Sequence, residues 1–244
     1  MFRSAALFAL VVVPLVAVAA PVPKDVSDKQ VIARHWGKTE GRGEFEAAGK
    51  QLTIRSFLEP DTGLIAILGG GNNALERHTA PRVSRTVSGD FVMTVKVLDA
   101  ALPNKGAKHN DGYPNTKAGL FVTGGGYATE FHLYQYYQKL NGVVSEEPTR
   151  YLWVDSWYPR GGSGSGMQKP PAGKSTWLRI TRKDNVVSVS SSFDGEQWTA
   201  PYTPRKEMEF PDEVTVGVYF GHSTYQNLSA TFDAFTIEKP KAKK

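Results

Sequence analysis

The chain has no cysteine in 244 residues. Disulfides, thiolate metal sites and cysteine nucleophiles are therefore excluded, and the folded form must be held by packing alone. Helical periodicity is almost as scarce: apolar residues seldom recur at the three- and four-residue spacing of an amphipathic helix. Beyond the first residues, no segment is apolar over the about 20 positions that a membrane-spanning helix needs, so no membrane span is expected. The five histidines are scattered without a His-x-x-x-His pair, which argues against zinc. Gly69-Gly70-Gly71 lacks the Lys-Ser/Thr and the helix of a phosphate loop. Gly162-Ser163-Gly164-Ser165-Gly166 has the letters of a serine-nucleophile elbow, but no helix follows, and the match reflects low complexity.

What is present begins with a leader. Arg3 supplies a positive start, Ala5 to Val16 form a short apolar run, and Ala17-Val18-Ala19 has the small-x-small pattern of a cleavage site. Cleavage is placed after Ala19, because a cut after Ala20 would put Pro21 immediately past the scissile bond. Residues 1–19 are thus read as a signal peptide, and the mature chain as secreted or periplasmic. The formal charge of +5 reflects the tail more than the domain. Arg3 leaves with the leader, and Lys239, Lys241, Lys243 and Lys244 crowd into the last six residues, a basic tail read as disordered. The remainder is close to neutral, so no nucleic-acid partner is expected.

Residues 20–238 read as one all-β domain. Phe91, Met93, Val95 and Val97 alternate with Val92, Thr94 and Lys96, the period of a half-buried strand. Strands are likewise expected at 51–57, 118–123, 127–138, 150–158, 177–182, 186–193, 214–220 and 230–238. Asn141-Gly142, Asp184-Asn185 and Asp194-Gly195 mark hairpins, since these residues adopt positive φ cheaply. Many short strands with turns between them, and no fixed repeat, indicate an antiparallel β-sandwich or jelly roll. Leu102 to Thr116, Pro159 to Lys174 and Gly69 to Pro81 read as long loops, the second a mobile glycine-serine loop.

Three segments and a closing strand carry a family resemblance. They are Ala80-Pro81-Arg82-Val83 leading to Gly89-Asp90-Phe91; Lys117-Ala118-Gly119-Leu120-Phe121-Val122; and Trp177-Leu178-Arg179-Ile180-Thr181-Arg182 leading to Ser192-Phe193-Asp194-Gly195-Glu196-Gln197-Trp198. Thr231-Phe232-Asp233-Ala234-Phe235 closes the pattern. Together, over roughly residues 51–238, they resemble the concanavalin A-like lectin/glucanase sandwich superfamily. Within it the chain is similar to small bacterial domains of unassigned function related to modules attached to β-xylosidases. The resemblance implies two packed antiparallel sheets, one concave and often used for carbohydrate; it does not imply catalysis.

Two neighbouring strands carry the candidate site. In one, Phe131 and Leu133 share a face while Glu130, His132, Tyr134 and Tyr136 share the other. In the next, Leu152 and Val154 share a face while Tyr151, Trp153, Asp155 and Trp157 share the other. If the aliphatic residues face the core, the polar-aromatic stripes point away from it and lie side by side in an antiparallel pair. Pyranose rings stack their C–H faces on such aromatics, and Glu130, His132 and Asp155 offer partners for hydroxyls. The reading is a secreted, non-catalytic carbohydrate-binding module without cofactor, metal or assigned catalytic residue. Ordinary cross-strand packing explains the same stripes without a ligand.

The alternatives are a glycoside hydrolase or polysaccharide lyase using Glu130 and Asp155, or a structural interaction module of the cell envelope. Glucanases of the resembled fold carry Glu-x-Asp-x-x-Glu on a strand. Here Glu59-Pro60-Asp61 begins that pattern, but Leu64 stands where the second Glu belongs. Asn110, Asp111 and Asn115 near Gly112 offer hard oxygen ligands for calcium, though turn formation explains the same residues with less.

Overall fold

The computed structural model describes residues 28–57, 80–107, 114–140, 143–158, 161–171 and 175–240. The leader, its cleavage site, the Glu59–Leu64 segment, Gly69 to Thr79, Asn110 to Gly112, Asn141-Gly142 and the last four residues lie outside them. The first described element is α1 (Asp28–His35), followed by β1 (Lys38–Glu40), β2 (Gly43–Ala48), β3 (Gln51–Ser56), β4 (Arg82–Ser88) and β5 (Phe91–Ala100). Next come β6 (Asn115–Gly124), β7 (Tyr127–Tyr136), the short β8 (Lys139–Leu140) and β9 (Val143–Val144), β10 (Thr149–Tyr158) and β11 (Gly161–Gln168). The chain closes with β12 (Thr176–Lys183), β13 (Val186–Ser192), β14 (Glu213–His222) and β15 (Leu228–Glu238). Among the described residues, no helix is long and apolar enough to cross a membrane.

Two antiparallel sheets form the sandwich. The seven-stranded sheet runs β1-β4-β14-β6-β7-β10-β11, and the six-stranded sheet runs β13-β12-β5-β15-β3-β2. The longer strands give alternate apolar residues to the space between them. Phe91, Met93, Val95, Phe131, Leu133, Leu152, Val154, Ile180, Val216 and Phe232 all fall in one buried cluster, the set that period-2 reading selects. Turn chemistry holds as well. Asp184 (φ 50°) and Asn185 (φ 64°) make the two-residue hairpin between β12 and β13. Its Asp184 N–H donates to Asp90 Oδ1 at 3.0 Å, which ties it to the β4–β5 turn.

Three expectations change. Residues 28–35 form a helix, and β1 and β2 precede the expected strand at 51–57. Asp194-Gly195 makes a turn rather than a regular hairpin: the Asp194 carboxylate accepts from the Glu196 and Gln197 N–H groups at 2.8 Å. The returning chain then meets β13 through the Thr199 N–H on the Ser191 carbonyl and an isolated Val189–Tyr202 bridge. The third correction bears on function. Gly161–Gln168, read as a mobile loop, is the strand β11, paired along β10 at the margin of the seven-stranded sheet.

Candidate functional site

Register assembles the site from four adjacent strands. Leu133, Phe131, Leu152 and Val154 point into the sandwich core, so Glu130, His132, Tyr134, Tyr151, Trp153, Asp155 and Trp157 occupy the opposite face of their sheet. Three cross-strand rows result. Tyr219, Gly119, His132 and Trp153 lie abreast on β14, β6, β7 and β10. Gly217, Phe121, Glu130 and Asp155 form the next row, and Gly221, Lys117, Tyr134 and Tyr151 the third. The expected antiparallel pairing of β7 with β10 is therefore observed.

Parity predicts the face but not the exposure. Glu130, His132, Tyr134 and Asp155 are all buried, whereas Tyr136, Tyr151, Trp153 and Trp157 remain partly accessible. The stripe is thus a buried polar floor flanked by aromatic rings rather than a uniformly open surface. Tyr134 makes the junction: its ring lies 5.8 Å from Trp153 and 5.1 Å from Tyr136, both tilted. Such offset contacts hold aromatic rings in place.

Asp155 is fixed by two donors. Trp153 Nε1–H reaches Oδ1 at 2.8 Å, and Lys117 Nζ reaches Oδ2 at 3.0 Å. Burial pushes the Asp155 carboxyl upward, but the Lys117 ammonium and these hydrogen bonds outweigh it and hold the group below the usual carboxylate range. Asp155 is therefore an anion at neutral pH. Lys117 also lies 5.6 Å over the Tyr134 ring, so one ammonium serves a carboxylate and a π-face.

His132 takes the opposite state. Complete burial, reinforced by Lys117, lowers its pKa to about 3, so the imidazole is neutral. Tyr219 Oη lies 2.8 Å from Nδ1 and 3.4 Å from Glu130 Oε2. Gly119 makes this bridge possible: it stands between Tyr219 and His132 in the row, and a Cβ there would collide with the backbone at Phe131 and with His132 Cα. Tyr219 O–H donates to Glu130 Oε2, and the direction of its contact with Nδ1 follows the imidazole tautomer. Nε2 is buried without a hydrogen-bond partner and lies 3.9 Å from Asp155 Oδ2.

Glu130, His132 and Asp155 each offer a ligand atom within 4.8 Å of the other two, and they form the candidate metal cluster among the described residues. A cation placed there would compete with Lys117, already 3.0 Å from Asp155 Oδ2. Of the residues considered for calcium, Asn115 begins β6 buried, with its backbone N–H on Ser223 Oγ; its proposed companions lie outside the described residues. An open groove lined in part by Ile32, Glu44, Phe45 and Arg55 lies between α1 and the other sheet. Its Arg55 and Glu44 pair with each other at 2.9 Å.

Sequence reasoning brought eight residues to one face and missed Lys117, Phe121 and Tyr219. Their signal is the same parity: Lys117, Gly119 and Phe121 alternate with core Ala118, Leu120 and Val122, and Tyr219 alternates with Val218 and Phe220. The strand pairing that adds them to the row is not local.

No family model and no curated protein matches the sequence. Among solved structures the chain is similar to a functionally unknown protein from Saccharomyces cerevisiae, with TM-score 0.56 and 14% identity over 84% of this chain and 97% of that one. It is similar to the GH43 BlXynB protein from Bacillus licheniformis, with TM-score 0.54 and 13% identity over 81% of this chain and 35% of that one. The chain thus spans about a third of the BlXynB length. It is also similar to the CBM2 module of the Lactobacillus casei BL23 phage J-1 evolved Dit, with TM-score 0.50 and 12% identity over 84% and 82% of the two chains. At these identities the likeness is one of fold. With two antiparallel sheets of seven and six strands, the chain is an all-β antiparallel sandwich.

Proposed function

We propose that this chain is a non-catalytic carbohydrate-binding β-sandwich, exported on the leader read in residues 1–19. Its ligand face is the one carrying Glu130, His132, Tyr134, Tyr136, Tyr151, Trp153, Asp155 and Trp157. The observation that carries this reading is the coupling of Trp153 to Asp155: the ring offered for stacking also fixes the carboxylate offered for hydroxyls, at 2.8 Å. A sugar needs both at once, because its ring faces are apolar and its rim is polar. The fold shared with a GH43 protein and with a CBM2 module supports the reading. Stacking rings on comparable platforms are worth roughly 1–3 kcal/mol each, so Trp153→Ala or Trp157→Ala should weaken glycan binding about tenfold or more. A glycan array followed by calorimetric titration of the wild type and both variants measures this. Unfolding of either variant, or unchanged affinity, removes the stacking role.

One observation favours a catalytic reading. The Glu130 and Asp155 oxygens come within 4.8 Å, near the about 5–5.5 Å carboxyl separation of a retaining glycosidase. Against it, both Asp155 oxygens already accept from Lys117 and Trp153, and Leu64 stands where the glucanase pattern has its second Glu. A reducing-sugar and unsaturated-product assay on plant, algal and bacterial polysaccharides is expected to show no turnover. Turnover lost in Glu130→Gln or Asp155→Asn would replace the binding module with an enzyme.

A further inference from the structure

The faces of β11 differ completely. Ser163, Ser165 and Met167 lie on one, where Met167 packs against the core and Ser163 Oγ accepts from Arg205 Nε at 3.1 Å. Gly162, Gly164 and Gly166 lie on the other, exposed and beside Trp157, Asp155 and Trp153 respectively. The spaces their side chains would take are already filled. A Cβ on Gly162 would collide with Cε3 and Cζ3 of the Trp157 indole. On Gly164 it would lie 2.5 Å from Asp155 Oδ1 and 2.7 Å from Trp153 Nε1. On Gly166 it would meet Trp153 at 3.2–3.3 Å, a tight contact that a small shift relieves. Both indoles thus lie over the backbone of the marginal strand, and the Asp155 hydrogen bond lies between them.

From this we infer that Gly162, Gly164 and Gly166 are specificity-determining positions, and that the ligand is an extended glycan chain lying lengthwise along β10 and β11. The inference rests on the carbohydrate-binding reading and adds shape and direction to it. Trp153 and Trp157 are four residues apart on one strand, a span of about 13 Å at the usual rise per residue. A single sugar ring cannot stack on both indoles, whereas consecutive rings of an extended chain can. The glycines leave the lane beside the indoles without a side-chain wall. Side chains at these positions would stand the indoles up and turn the lane into an enclosed pocket suited to a terminal sugar.

The test uses the mature chain and calorimetric titration with β-1,4-linked glucose and xylose oligomers of increasing length, alongside the polymers found on a glycan array. Affinity should rise at least tenfold from the monosaccharide to the tetramer. Alanine substitutions grade the steric argument without removing any contact group. Gly162→Ala and Gly164→Ala should each lower tetramer affinity about tenfold, while Gly166→Ala lowers it less than threefold. Ser165→Val, on the opposite face of β11, should leave it unchanged. Intrinsic tryptophan emission should shift in the first two variants and not in the last. Equal affinity for monosaccharide and tetramer, or Gly162→Ala and Gly164→Ala indistinguishable from wild type, overturns the lane while the carbohydrate reading stands. Absence of binding to every oligomer and polymer tested overturns both.

Discussion

On acidification from pH 6.5 to about 3, the protein should lose up to about 5 kcal/mol of stability through a single buried imidazole, at about 1.4 kcal/mol per pH unit. His132 is fully buried and its pKa falls from 6.5 to about 3 on folding. Within that window the unfolded chain binds a proton that the native state refuses, so stability rises with pH. The contribution is complete above pH 6.5, declines as pH falls, and is exhausted near pH 3. The groups facing the ring account for the direction. Lys117 adds to the effect of burial, Asp155 opposes it, and Tyr219 occupies Nδ1. Asp155, itself held below its usual range, adds to acid sensitivity only once the unfolded carboxyl begins to protonate. Asn at position 132 retains a polar atom near the place of Nδ1 and does not titrate. Urea midpoints measured across the window should therefore slope less steeply in His132→Asn. A residual slope will remain from His222, whose pKa burial also lowers. Equal slopes in wild type and His132→Asn would mean that the ring is protonated in the native state.

The same floor shows how far the sequence could be read. Parity is local, and it correctly divided β7 and β10 into core and opposite faces, because a two-residue period survives whatever the strands pair with. Burial is not local. Glu130 and His132 are covered partly because β14 and β6 bring Tyr219 and Phe121 alongside, and nothing in residues 127–136 encodes that order. Composition misled at β11. A glycine-serine run ordinarily signals flexibility, yet here the indoles of β10 occupy the volume its glycines leave, so the extended form is fixed by side chains from another strand. The missed helix α1 has a simpler cause: in eight residues only Ile32 is buried, too little to leave a periodic signal.

Lys117→Met should be the most damaging single change to the site at neutral pH, costing about 3–5 kcal/mol as removal of one member of a buried ion pair does. Methionine approximates the length of the lysine stem, so little packing is lost. What is lost is the charge that holds Asp155 ionised, in a pair whose side chains are only 13% and 9% exposed. Trp153 Nε1 would remain as a donor to Oδ1, and Oδ2 would lose its ammonium. With burial no longer outweighed, the Asp155 pKa should rise, and the penalty should shrink as pH falls and the carboxyl accepts a proton. His132 should move the same way, since Lys117 is one of the causes of its low pKa. Pairing the change with Asp155→Asn removes the uncompensated charge, so the double variant should recover most of the loss. Urea unfolding of the two single variants and the double variant at pH 7 and pH 5 measures each of these terms. A Lys117→Met cost below about 1 kcal/mol, the range of exposed pairs, with no recovery in the double variant, would show that water reaches the floor and that Asp155 does not depend on Lys117.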